Sequence, residues 1–128
     1  MSLRSPLGRV LGLGSAKSGS SHWYLQRVTA LALVLLGAWF LVSLATLGGT
    51  GLDAVQAWLH SPVSSVLAML FVAVAAYHAS LGLQVVVEDY LAGHGARVVL
   101  LVVIKFALVV AALVGIIAVL RIAFGVEA

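Results

Sequence analysis

The chain has 128 residues, 63% of them hydrophobic and only 9% charged. A soluble domain of this size cannot hide so much apolar surface, so a water-soluble fold is excluded. The formal charge of +3 comes from few, scattered basic residues and does not point to nucleic acid. With no cysteine, disulfides, iron–sulfur clusters and thiolate haem ligation within this chain are excluded.

Residues 1–20 are rich in Gly and Ser and predict a poorly structured segment. The apolar stretch that follows is too long for a signal-peptide core, so the start does not read as a cleaved leader. We divide the chain into an N-terminal cytoplasmic segment, 1–21, and a membrane domain, 22–128. Ser21 is placed to cap the first helix, with His22, Trp23 and Tyr24 at its opening. Trp23 and Tyr24 suit a membrane interface, where an aromatic ring sits half wet.

Three apolar stretches follow: Val28 to Leu47, Ser61 to Val87 and Val98 to Leu120. Each is long enough to cross roughly 30 Å of hydrocarbon as a helix. Gly48, Gly49 and Gly51 end the first span. Residues 53–60 predict a short surface helix whose apolar side carries Leu52, Val55 and Leu59. Pro62 fits the first turn of the second long helix, expected to run to about Leu91 before Gly93 and Gly95 break it. The third span opens near Ala96. The expected fold is therefore an all-α membrane protein, with three transmembrane helices forming part of a heteromeric helical bundle.

Charge sets the expected orientation. Arg4, Arg9, Lys17 and Arg27 precede or open the first span, the connection 48–60 has no Lys or Arg, and Arg97 lies in the second connection. By the positive-inside rule the N-terminus is cytoplasmic and the C-terminus is outside. A bacterial inner membrane is the natural setting, with the C-terminus periplasmic.

Polar groups inside a span need a reason, because hydrocarbon does not solvate them. His78 lies within the uncharged run 61–87, eleven residues before Asp89. At helical rise that is roughly 16 Å along the axis, near mid-membrane. Its imidazole can ligate a haem iron, or it can hydrogen-bond a serine or carbonyl of a neighbouring helix. Gly82, one turn on, would leave room for a porphyrin. A six-coordinate b-type haem takes a second axial ligand, and this chain has no other mid-membrane histidine. His22 and His94 fall near the cytoplasmic surface and His60 toward the opposite one. The haem reading thus requires a second membrane protein with its own buried histidine.

Arg27 is positioned to pair with a haem propionate through directed hydrogen bonds. His22 would help position that carboxylate or a water. The alternative for both is interfacial anchoring. At the end of the second long helix, Glu88, Asp89 and Tyr90 are polar. Tyr90 can donate a hydrogen bond to a quinone carbonyl, with Asp89 orienting it or passing protons. The alternative is a solvated carboxylate pair beside an interfacial aromatic. Lys105 lies just inside the third span and is expected to snorkel toward the cytoplasmic headgroups.

The segment His78-Ala79-Ser80-Leu81-Gly82-Leu83-Gln84-Val85-Val86-Val87-Glu88-Asp89-Tyr90 resembles the second-helix signature of the small hydrophobic membrane anchors of succinate dehydrogenase. His22-Trp23-Tyr24-Leu25-Gln26-Arg27-Val28-Thr29-Ala30 resembles the first-helix entrance of the same family. The resemblance implies that His78 is an axial ligand of haem b and that Asp89 and Tyr90 belong to a ubiquinone site. It implies a place for Arg27 near the haem propionates, with His22 in the same entrance region. It further implies a partner, the cytochrome b anchor, for the other ligand and much of the quinone pocket. Separate iron–sulfur and flavoprotein subunits would carry the iron–sulfur clusters and FAD and oxidise succinate outside this chain. A haem-free anchor of a related dehydrogenase or fumarate reductase is the competing expectation.

Overall fold

The computed structural model describes residues 19–49 and 51–125, and the expected N-terminal cytoplasmic segment lies almost wholly outside the described residues. Among the described residues there are four helices: α1 (Gly19–Thr46), α2 (Leu52–His60), α3 (Pro62–Tyr90) and α4 (His94–Ala123). α1, α3 and α4 have 28, 29 and 30 residues. At about 1.5 Å per residue each outreaches roughly 30 Å of hydrocarbon. Each is therefore long enough for its ends to reach the headgroup layers.

The reason for three long helices is local. Leu, Ala and Val make up most of each long segment, and the one proline among the described residues, Pro62, occupies the first turn of α3. At that position its missing N–H costs no hydrogen bond. In hydrocarbon every backbone polar group must be satisfied within the segment, and a helix does so. The apolar residues go all round each helix instead of forming a stripe. Leu31, Val34, Leu35, Leu41 and Val42 of α1 are exposed, and α4 has no buried residue. Water would penalise such a surface heavily, whereas lipid solvates it.

α3 is the middle of a row. It packs against α1 on one side and α4 on the other, and the backbones of α1 and α4 do not approach each other among the described residues. α1 and α3 run antiparallel, with Gly82 facing Gln26, His78 facing Thr29 and Gly37 facing Phe71 along their line of contact. The α3–α4 crossing is closer: a Cβ built on Gly115 would lie 3.1 Å from Val72 Cγ1. The short α2 packs its backbone against α3 and α4. Trp58 of α2 stacks on Trp39 of α1 at 5.6 Å between ring centroids, and Phe40 stacks on Phe71 at 5.2 Å. At the same end, His60 Nδ1 donates to the Ala123 carbonyl at 3.2 Å, which ties α2 to the last turn of α4.

Two boundaries differ from the sequence expectation. The chain is already helical at Gly19, so Ser21 lies inside α1 and is not its cap. α4 begins at His94, two residues earlier than expected, with Gly93 as its N-cap. The orphan N–H groups of a first turn make Gly95 tolerable there. Arg97 has a structural task beyond topology. Its guanidinium donates to the Leu91 carbonyl from Nε at 3.1 Å and Nη2 at 2.6 Å, closing the C-terminal end of α3.

Candidate haem- and quinone-facing site

His78 is half-buried and projects from the middle of α3 toward α1. Its Nδ1 lies 2.8 Å from Thr29 Oγ1, a contact between residues 49 apart in sequence. Thr29 is buried, and its hydroxyl donates back to the Leu25 carbonyl at 2.8 Å, with the Gln26 carbonyl at 3.2 Å. Of the two alternatives for His78, the hydrogen bond to a neighbouring helix is therefore present, made to a threonine. It uses only one ring nitrogen, and no described residue hydrogen-bonds Nε2. The arrangement leaves one imidazole nitrogen for a group outside the chain, which is the single donor a haem iron would ask of it. Gly82 faces α1, where a Cβ would lie 3.8 Å from Gln26 Nε2, an ordinary van der Waals contact with the end of a flexible side chain.

His22, Gln26 and Thr29 share the α3-facing side of α1, one or two turns apart. His22 Nε2 is buried and has no hydrogen-bond partner among the described residues. An orphaned buried nitrogen of this kind is costly unless something outside the chain satisfies it. His22 lines a cleft of about 540 Å³ with Ser21, Leu25, Tyr77, Gln84 and Glu88. In that cleft Gln84 Nε2 donates to Glu88 Oε1 at 2.8 Å.

Arg27 is elsewhere. It is exposed and stacks over Trp23, with Cζ 5.5 Å from the ring centroid. The structure does not bring Arg27 and His22 together, because a spacing of five residues turns them to different sides of α1. Arg27 faces away from α3, where only a group or protein outside the α1–α3 pair can meet it. Asp89 and Tyr90 end α3 as exposed residues, Tyr90 being 84% exposed. Neither has a hydrogen-bond or ion-pair partner among the described residues. Lys105 is exposed and lines a second cleft, of about 470 Å³, between α3 and α4 with Tyr77, Ser80 and Gln84. His60 and His94 lie at opposite ends of the helices and do not approach His78.

Sequence reasoning missed Thr29. A signal was available: His22, Gln26 and Thr29 form a polar line at helical spacing in an otherwise apolar helix.

Residues 1–115 match the model of the succinate dehydrogenase/fumarate reductase transmembrane subunit family. The chain belongs to this family. Among similar proteins is one named succinate dehydrogenase hydrophobic membrane anchor subunit from Rickettsia conorii, 38% identical over 76% of this chain and 78% of that protein. A protein of the same name from Rickettsia bellii is 36% identical over 80% and 82% of the two chains. Another from Paracoccus denitrificans is 30% identical over 79% and 80%. As a transmembrane subunit the chain is a multi-pass membrane protein, with α1, α3 and α4 as its spans.

Proposed function

We propose that this transmembrane protein holds succinate:ubiquinone oxidoreductase, respiratory complex II, in a bacterial inner membrane, N-terminus cytoplasmic and C-terminus periplasmic. It supplies one axial ligand, His78, to a haem b shared with a second anchor protein, and Asp89 and Tyr90 to a ubiquinone site. The observation that carries the haem reading is a mid-helix imidazole, half-buried, with one ring nitrogen hydrogen-bonded and the other unengaged by any described residue.

Within this reading the work divides by depth. A haem, when bound, supplies a one-electron iron couple inside the membrane. His78 would offer an imidazole lone pair to it, and Arg27, from the side of α1 turned away from α3, would balance propionate charge, while His22 would position a carboxylate or a water in its own cleft. Succinate oxidation takes place in the flavoprotein partner, and electrons leave it through the iron–sulfur partner. Reducing ubiquinone to ubiquinol takes two electrons and two protons. Tyr90 donates a hydrogen bond to a quinone carbonyl oxygen, and Asp89 holds the tyrosine or relays a proton from the aqueous face. Their exposure in the isolated chain supports a pocket that is finished by partner proteins.

The second reading, a haem-free anchor, is favoured by the Thr29–His78 hydrogen bond, since it gives His78 a packing role of its own. A reduced-minus-oxidised absorption spectrum of the purified complex separates the two. His78→Ala is expected to abolish the b-type signal while flavin and iron–sulfur content persist. A wild-type spectrum in that variant would rule out the ligand role.

A further inference from the structure

We infer that Thr29 is the positioning residue of His78: its hydroxyl accepts a hydrogen bond from Nδ1–H and so fixes the tautomer that presents Nε2 as the metal-binding lone pair. This role rests on the haem reading of His78 and deepens it.

Counting protons decides the direction of the bond. A threonine hydroxyl has one hydrogen. Thr29 Oγ1 lies 2.8 Å from the Leu25 carbonyl oxygen and 3.2 Å from that of Gln26. Carbonyl oxygens only accept, so the single hydrogen is directed at Leu25 in the back-bond that threonine makes inside helices. The hydroxyl is then left with lone pairs alone for the His78 Nδ1 at 2.8 Å. A bond at that length requires a hydrogen on Nδ1. Were Nδ1 bare, Thr29 would have to turn its hydrogen to it, and two oxygens would face each other at 2.8 Å with nothing between them. A neutral imidazole protonated at Nδ1 has its lone pair at Nε2.

The relay runs from His78 through Thr29 to the Leu25 carbonyl, so α1 aims a ligand carried by α3. Such outer contacts fix ring orientation and raise the electron-donating power of the metal-bound nitrogen. Burial strengthens the effect, since Thr29 is 8% exposed. Only a β-hydroxyl at this position supplies both bonds; the similarly shaped valine supplies neither.

The experiment uses the assembled complex purified with its partner proteins, carrying Thr29→Val, Thr29→Ser or His78→Ala. Haem per flavin and the haem midpoint potential are measured in each. In Thr29→Val, haem retention is expected to weaken by about 10- to 100-fold in affinity. The haem that remains is expected to titrate at a more positive potential, because a less electron-rich imidazole stabilises oxidised iron less. Thr29→Ser, which keeps the hydroxyl, is expected to match wild type in both. Should Thr29→Val not assemble, Thr29→Cys, near in volume but a poor acceptor, takes the same titration and is expected to shift in the same direction. Wild-type haem content and potential in whichever of these variants assembles, with haem lost in His78→Ala, would overturn the positioning role and leave His78 as ligand. Full haem retention in His78→Ala would overturn both. Fewer complexes, each with normal haem and potential, would reduce Thr29 to a packing residue and overturn the inference as well.

Discussion

At the scale of single residues, the polar groups of this chain fall into two kinds. Some are satisfied internally: Thr29 with His78, Gln84 with Glu88, Arg97 with the Leu91 carbonyl and His60 with Ala123. Others wait on something outside the chain, namely the buried His22 Nε2 and the exposed Asp89 and Tyr90. The second kind contains the residues proposed to meet quinone, and His78 belongs to both, with Nδ1 bonded to Thr29 and Nε2 unengaged by any described residue. Tyr90 gives a direct test. A hydrogen bond to a quinone carbonyl contributes about 0.5–1.5 kcal/mol. Tyr90→Phe is therefore expected to slow succinate–quinone turnover by roughly 2- to 13-fold. Succinate oxidation by an artificial acceptor at the iron–sulfur partner is expected to stay unchanged. Equal losses in the two assays would mean damaged assembly and not a lost quinone contact.

At the scale of helices, small residues decide how closely the spans approach. Apolar packing in lipid has no solvent driving force, so contact depends on shape and on a few polar bonds. Gly37 meets Phe71 and Gly115 meets Val72, and the second of these leaves no slack, with 3.1 Å between a built Cβ and Val72 Cγ1. Gly115→Leu is expected to force α4 away from α3 and to destabilise the bundle by about 1–3 kcal/mol, the usual cost of overpacking. Thermal unfolding of the detergent-solubilised complex measures it, with Gly115→Ala expected to cost less because it asks Val72 to give by only a few tenths of an ångström. An unchanged melting temperature in Gly115→Leu would mean that this crossing does not limit stability. The α1–α3 contact is different in kind. It is pinned by a hydrogen bond at mid-depth, Thr29 to His78, and by the aromatic stack of Phe40 on Phe71 toward one end.

At the scale of the whole molecule, three spans in a row make an open arrangement. α3 has neighbours on two sides, while α1 and α4 stand apart and no described side chain is fully buried. A closed bundle would shield its central helix, and this one does not. The chain expressed without its partners is accordingly expected to retain no haem and to disperse as unstable material in detergent. Co-expression with the second anchor protein should restore a haem spectrum and a defined elution volume. Stable haem binding by the chain alone, as a homodimer joined through two copies of His78, would show instead that the second ligand comes from this same sequence.

The sequence by itself determined the number of spans, their approximate limits and the depth of His78. Those follow from local quantities: the length of an apolar run, the positions of glycine and proline, and the rise of a helix. The polar end at Glu88, Asp89 and Tyr90 was legible for the same reason. Which helices touch was not legible, because residues that are apolar all round give no facing direction. Only the tertiary structure set Thr29 against His78, turned Arg27 away from His22, gave Gly82 to Gln26 and assigned Arg97 to the Leu91 carbonyl. Each of these joins groups through space and depends on how one helix is rotated against another. In lipid that rotation is set by a handful of polar bonds and close contacts, since hydrophobicity there favours no side of a helix over any other.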